Sequence, residues 1–186
     1  MRIIAGTYGG RPLKSLSGNN TRPTGDKLKE TLFNIIGPYF RGGRVLDLYA
    51  GSGALAIEAV SRGIDEAVLV DRSREAVSVI QENVQMTKEG HKFEVIQAPS
   101  TVALDRLAGR GDQFKLVFLD PPYDKQTMVD DIKRLTEGDM LDDIAMIVCE
   151  TGNRVELPET IGELSVWQEK KYGKVKLTIY LKGDIS

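Results

Sequence analysis

The chain has 186 residues, a formal net charge of −2 and 41% hydrophobic residues. This length suits one domain with a full core, and no apolar run has the length of a membrane span or the placement of a signal peptide. One cysteine and one histidine argue against a zinc site. We therefore expect a cytoplasmic globular protein that holds no metal.

Charge is distributed unevenly along the chain. Residues 1–44 contain eight basic and two acidic residues, which gives a net charge of +6 and leaves −8 for the remainder. A basic segment on an acidic body favours a localised contact with a polyanion, whereas ordinary solvated surface charge is the alternative.

The first 43 residues predict a hairpin followed by a helix. Strand-like runs at residues 2–5 and 11–16 are separated by glycines, which is typical of a hairpin. A helix is predicted to open at Thr21-Arg22-Pro23-Thr24 and to end at Gly37-Pro38, with apolar residues spaced for one face. We expect residues 1–43 to form an N-terminal extension and residues 44–186 to form the main domain.

From residue 44 onward, strand and helix patterns alternate. Strands are predicted at 45–49, 67–71, 93–97, 114–120 and 144–150, with helices at 54–62, 73–88, 101–107 and 126–135. Such alternation predicts an α/β, Rossmann-like fold with a mainly parallel twisted sheet and helices on both faces. Two further runs, 164–171 and 174–181, predict a C-terminal antiparallel hairpin joined at Tyr172-Gly173.

A glycine turn follows the first strand of this domain. Gly51 and Gly53 lie between that strand and the helix beginning near residue 54, so a ligand can approach the backbone there. Asp71 ends the next strand, where a carboxylate can accept both hydroxyls of a ribose. NAD would fit the glycines, but Asp47 would repel a pyrophosphate and instead suits the ammonium group of S-adenosylmethionine.

The fourth strand of this domain ends in Asp120-Pro121-Pro122-Tyr123. Asp120 therefore falls at the carboxyl end of a buried parallel strand, which is where open α/β sheets bind ligands. The prolines remove two backbone donors, so carbonyl oxygens and the carboxylate remain as acceptors, while the tyrosine offers a stacking face. These four residues predict a catalytic pocket for a planar amine, and an ordinary Pro-Pro turn is the structural alternative.

With these motifs the chain resembles class I S-adenosylmethionine-dependent methyltransferases over about residues 44–182. The 120–123 motif is similar to that of amino-methyltransferases acting on adenine N6, cytosine N4, guanine N2 or a glutamine amide. The N-terminal sequences at residues 2–6, 10–13 and 21–24, together with Tyr172-Gly173, look like the RsmD family, the bacterial 16S rRNA guanine-N2 methyltransferases.

The resemblance implies methyl transfer from S-adenosylmethionine to a guanine N2 amine in small-subunit rRNA, with the base displayed in a folded loop or ribosomal particle. Relatives usually carry an acid after the third strand for the cofactor adenine; here Ala98-Pro99-Ser100 stands there, and Ser100 or backbone atoms are expected to replace it. The expected cofactor-binding residues are Asp47, Tyr49, Ala50, Gly51, Ser52, Gly53, Asp71, Arg72, Ser100 and Asp120. The expected RNA-binding residues are Arg2, Arg11, Arg22, Thr24, Lys27 and Lys29.

Three other functions stay open on the sequence. A DNA amino-methyltransferase acting on adenine N6 or cytosine N4 would need sequence readout, for which the short N-terminal piece leaves little room. A methyltransferase acting on a protein glutamine amide would not need the basic segment. A non-catalytic RNA-binding module would need neither Asp120 nor the predicted cofactor carboxylates.

Overall fold

A mixed β-sheet organises the computed structural model, which describes residues 1–16, 23–122 and 125–183. The strands are β1 (Arg44–Asp47), β2 (Glu66–Asp71), β3 (Phe93–Gln97), β4 (Phe114–Leu119), β5 (Leu141–Gly152), β6 (Thr160–Ile161), β7 (Leu164–Tyr172) and β8 (Val175–Lys182). The helices are α1 (Pro23–Ile36), α2 (Ala54–Ser61), α3 (Arg74–Thr87), α4 (Ser100–Arg110) and α5 (Lys125–Glu137), with a 3-10 turn at Gly90–Lys92. None of the helices in these ranges combines the length and apolarity needed to cross a membrane.

The sheet order is β3-β2-β1-β4-β5-β8-β7-β6, and the first five strands in the chain are parallel. The last strands form the predicted antiparallel hairpin beside β5, which confirms the expected fold class. Two details differ from expectation. β5 begins at Leu141 instead of the predicted residue 144, because Leu141 pairs with Phe114 before a register shift. β6 was not predicted, because its two residues are too few to show a periodic pattern.

The alternation of side chains along the strands creates one hydrophobic core on each face of the sheet. The first core contains Val45 and Leu69 from the strands and is covered by α1, α2 and α3 through residues such as Phe33 and Ile57. The second core contains strand residues such as Leu46 and is covered by α4 and α5. Because α2 begins directly after the glycine turn, that turn lies on the same side of the sheet as the first core.

The N-terminal segment packs into the first core. Its predicted hairpin is reduced to one antiparallel bridge between Arg2 and Pro12, and Ile3 and Tyr8 are buried beside the sheet. The segment docks on the end of α2, where Thr7 N donates to Ser61 O at 2.8 Å. Gly6, with φ of +89°, permits this contact because a Cβ at residue 6 would lie 1.9 Å from Ser61 O.

A buried carboxylate in α2 joins this segment to α1. Glu58 is fully buried and accepts hydrogen bonds from the backbone amides of Ile4 and Ala5 at 2.9 and 3.1 Å. Its oxygens also lie 3.1 Å from Lys29 Nζ and 2.8 Å from Arg62 Nε. Two cations and two amide donors therefore surround one buried anion, which is the arrangement that makes a buried charge tolerable.

We expect Glu58→Ala to lower the free energy of unfolding by about 3–5 kcal/mol, because it leaves Lys29 and Arg62 buried without their counter-ion. Chemical denaturation monitored by circular dichroism measures this change. Glu30→Ala removes an exposed carboxylate from the neighbouring face of α1 and is the control, for which we expect a change within about 0.5 kcal/mol. Equal effects of the two substitutions would contradict the structural role of Glu58.

Candidate active site

Four carboxyl groups line up at the carboxyl-terminal edge of neighbouring strands. In the order of the strands in the sheet, they belong to Asp71 and Asp47, the last residues of β2 and β1, to Asp120, which follows β4, and to Glu150, two residues before the end of β5. Each lies two positions after a strand residue of the first core, namely Leu69, Val45, Phe118 and Val148. The period of two therefore places all four on the same side of the sheet, and we call them the carboxyl row.

The glycine turn is fastened to the carboxyl row by Asp71. One carboxylate oxygen of Asp71 accepts a hydrogen bond from Gly51 N at 2.9 Å, and the other accepts one from Ser73 N at 2.9 Å. Gly51 and Gly53 both adopt positive φ values, +59° and +83°, which glycine adopts without steric cost. The Asp71 carboxylate thus fixes a backbone turn that a side chain at either glycine would strain.

Asp47 is the most deeply buried member of the row, with a relative exposure of 3%. Burial and repulsion from Asp71 and Glu150 raise the pKa of Asp47 to about 7, although the backbone amides of Ala56 and Tyr49 donate hydrogen bonds to it. An anion at this position is costly on its own, and a bound cation would offset that cost.

Asp120 and Glu150 form a carboxyl pair. Leu119 pairs with Cys149 between β4 and β5, so the next residue on each strand stands beside the other. The Asp120 side chain is exposed to solvent in the open cleft, but desolvation by the surrounding protein atoms, repulsion from Glu150, a hydrogen bond to Glu150 and repulsion from Asp47 raise the pKa of Asp120 above its ordinary range. Two adjacent carboxyl groups at this edge therefore resist carrying two negative charges at once.

Two cavities meet at this pair. The main cleft has a volume of about 600 Å³, and its walls include the glycine turn, α1 and the tip of the β7–β8 hairpin. A second pocket of about 350 Å³ lies between the Asp120-Pro121-Pro122 turn, α5 and the end of β5. The residues that line both cavities are Asp120, Glu150, Lys174 and Val175.

The main cleft collects most of the predicted cofactor-binding residues. Its wall contains Asp47, Tyr49, Ala50, Gly51, Ser52 and Asp120. Asp71 adjoins the wall through its hydrogen bond to Gly51, while Gly53 is buried beneath the turn. Arg72 is exposed and, like Ser100, is not part of the wall in the described residues.

Tyr49 connects the turn to α5. Its hydroxyl group donates a hydrogen bond to Asp131 of α5 and lies 3.2 Å from Ser100 Oγ. Because α5 follows the Asp120-Pro121-Pro122 turn in the chain, this contact braces the two loops that border the cleft. Ser100 therefore has a place in the site through Tyr49.

The predicted RNA-binding residues are dispersed. Lys29 is wrong as a phosphate contact, because its side chain is 3% exposed and its ammonium group is held by Glu58 and by Arg2 O at 2.6 Å. Arg11 lies over the Tyr8 ring and donates hydrogen bonds to the carbonyl groups of residues 86 and 87. Arg2 and Lys27 are exposed.

Several expected residues lie outside the described part of the chain. They are Arg22, Tyr123 and the side chain of Thr24.

Sequence reasoning missed Glu150, Lys174 and Asp131. Glu150 is the last residue of the predicted strand 144–150, just as Asp120 is of the predicted strand 114–120, so the rule that ligands bind at such ends was an available signal. Lys174 follows the predicted hairpin turn, but its neighbours in the cleft come from distant parts of the chain. Nothing in the spacing of the sequence marks Asp131 as the partner of Tyr49.

Comparison with known proteins places the chain among methyltransferases. A family model described as "Conserved hypothetical protein 95" matches residues 1–181. The chain is 43% identical over 182 residues to YlbH of Bacillus subtilis, covering 98% of this chain and 99% of that protein. It is 33% identical over 180 residues to "Ribosomal RNA small subunit methyltransferase D" of Escherichia coli K12, covering 97% and 89%.

A solved structure of yhhF from Escherichia coli superposes with a TM-score of 0.84 at 33% identity, covering 98% of this chain and 97% of that one. The fold is thus that of class I methyltransferases, as the sequence predicted.

The raised pKa of Asp47 predicts a pH-dependent gain in stability from Asp47→Asn. In the unfolded chain Asp47 ionises near pH 4, whereas in the fold it ionises near 7, so the wild type loses stability as the pH rises between these values. Asparagine does not ionise, and we expect its advantage to grow by about 2 kcal/mol between pH 5.5 and pH 8. Denaturant unfolding of both proteins at both pH values measures this difference in the free energy of unfolding. A difference that does not change with pH would contradict the raised pKa of Asp47.

Proposed function

Because the chain belongs to the conserved hypothetical protein 95 family, the RsmD family, we propose that it transfers a methyl group from S-adenosylmethionine to the N2 amine of a guanine in small-subunit rRNA. The observation that carries this proposal is the meeting of two cavities at the Asp120–Glu150 pair. A methyl donor in one cavity and a planar amine in the other would be separated only by a wall of hydrogen-bond acceptors.

The residues of the main cleft fit S-adenosylmethionine in charge. When bound, this cofactor supplies a methyl group activated by a positively charged sulfur. Asp47 offers a buried anion that suits an ammonium group, and Asp71 offers a carboxylate beside the Gly51 backbone that suits ribose hydroxyls. The same carboxyl groups would repel the pyrophosphate of a dinucleotide, so the charges in the cleft favour the cationic cofactor.

The protein's part in the reaction is alignment and charge stabilisation. Guanine N2 is a weak nucleophile because its lone pair is delocalised into the ring. Asp120 and the Pro121 carbonyl can accept its two N–H groups, which orients the nitrogen and stabilises the positive charge that develops on it. The surplus proton then leaves to the carboxyl pair or to water, so no histidine is required.

RNA binding is assigned to the basic N-terminal extension, residues 1–43. Arg2 and Lys27 are exposed there, and Arg22 adds a third cation by sequence. Lys174 contributes an exposed cation on the opposite rim of the cleft. Phosphates held at these positions would flank the cleft, and Tyr123 follows the catalytic turn as a stacking residue for the unstacked base.

The proposal is tested with the purified protein, labelled S-adenosylmethionine, and small subunits or rRNA from cells that lack the enzyme. We expect label at one rRNA site, released on digestion as N2-methylguanosine and identified by mass spectrometry. N6-methyladenosine, or label only in DNA or in protein, would reject the proposal in favour of the other amino-methyltransferase classes.

Asp120→Asn tests the role of the carboxyl group in the same assay. The substitution keeps the side-chain shape but turns one acceptor oxygen into a donor, so the amine loses part of its orientation. We expect single-turnover methylation to slow by about a hundredfold or more while cofactor affinity changes little. A rate near that of the wild type would contradict the amine-binding role.

Asp71→Ala should weaken S-adenosylmethionine binding by about tenfold or more, since charge-assisted hydrogen bonds contribute about 1.5–3 kcal/mol. Isothermal titration calorimetry measures the affinity, and circular dichroism checks the fold. Glu75→Ala changes another carboxylate, on the first turn of α3 outside the main cleft, and provides the matched control. Unaltered affinity in the Asp71 variant would contradict its assignment.

A further inference from the structure

The amine-binding turn alone does not select guanine. Asp120 and the Pro121 carbonyl would accept hydrogen bonds from any exocyclic amine, and adenine, cytosine and a glutamine amide also present an N–H₂ group. Selection therefore requires a further contact with the atom next to the amine, and the second pocket is where that atom would lie.

Glu150 occupies the position for such a contact. It stands beside Asp120 at the junction of the two cavities and lines both of them. Its side chain is half-buried, and among the described residues no lysine, arginine or histidine forms a salt bridge with it. Within the described part of the chain its carboxyl group is therefore bonded to Asp120 but not to a cation, and its other lone pairs can accept a donor from a bound molecule.

The walls of the second pocket suit a flat base. Pro121, Pro122, Met128 and Val155 supply apolar surface, while Glu150 and Asp120 supply the acceptors where this pocket meets the main cleft. Lys174 also lines the pocket and is exposed, so it can meet a phosphate at the surface. A nucleobase edge that reaches the junction would face two carboxyl groups.

We propose that Glu150 is the specificity-determining residue that accepts the N1–H of the target guanine, beside the N2 amine held at Asp120. The inference rests on the proposed function and explains its choice of base. Guanine presents N1–H and N2–H₂ as adjacent donors, so a side chain whose oxygens accept hydrogen bonds matches its edge. Adenine N1, cytosine N3 and an amide oxygen are acceptors, and each would place a lone pair against the Glu150 carboxylate.

The discriminating probe is 2-aminopurine, which keeps the 2-amino group of guanine but has an acceptor at N1. The modified guanosine is first mapped with the wild-type protein. Small-subunit rRNA is then assembled with a synthetic segment carrying guanosine or 2-aminopurine at that position, and single-turnover methylation is measured on both. Glu150→Gln is the test variant, because its amide can donate an N–H to the N1 acceptor.

We expect the wild type to methylate the guanosine substrate at least about a hundredfold faster than the 2-aminopurine substrate, since a mismatched polar edge leaves buried groups unpaired. Glu150→Gln should slow methylation of guanosine and shrink the preference for it by about tenfold or more. Glu163→Gln removes an exposed carboxylate in the β6–β7 turn, outside both cavities, and should keep the wild-type preference. Thermal unfolding confirms that both variants are folded.

The outcomes distinguish a failure of the proposed function from a failure of the role inferred for Glu150. A wild-type product other than N2-methylguanosine would overturn the proposed function and this inference together. N2-methylguanosine with the same preference in wild type and Glu150→Gln would overturn the inference alone. A variant that loses equal rate on both substrates would likewise show that Glu150 does not contact N1.

Discussion

Repulsion within the carboxyl row is the constraint on which the site depends. Parallel strands end at one edge of a sheet, so acids placed at the ends of neighbouring strands converge without any loop having to bring them together. Desolvation by the surrounding protein atoms and repulsion within the row raise the pKa of Asp47 and of Asp120. Holding these acids close together costs free energy, and a cationic methyl donor or an amine that binds beside them would lower that cost.

The rest of the fold holds this edge rigid. Asp71 fastens the glycine turn, and α2 begins directly after that turn. Glu58, near the middle of α2, binds the N-terminal segment and α1 through buried hydrogen bonds and ion pairs. The basic extension and the glycine turn are therefore attached to the same helix, which fixes the position of one relative to the other.

The sequence predicted the elements and the ends of the strands well because both depend on local signals. Periodicity identified β1 to β5, and the acid and prolines after β4 marked the turn that we predict to be catalytic. Lys29 shows where such reasoning fails, since only the fold reveals that Glu58, 29 residues later, occupies its ammonium group. Glu150 was missed for a related reason: it joins Asp120 only because β5 lies next to β4 in the sheet.

The separation of charge also limits what can enter the site. The carboxyl row repels phosphates, whereas the cations of the N-terminal extension and Lys174 attract them at the rim. In the proposed complex the nucleic-acid backbone would stay at the rim while an uncharged base turns toward the carboxyl row, where hydrogen-bond donors on its edge would be favoured. The negative potential that would favour a cationic donor would therefore also favour guanine, whose Watson–Crick edge presents the amine with an N–H beside it. One electrostatic feature of the sheet edge would thus account for both the cofactor and the base that we propose.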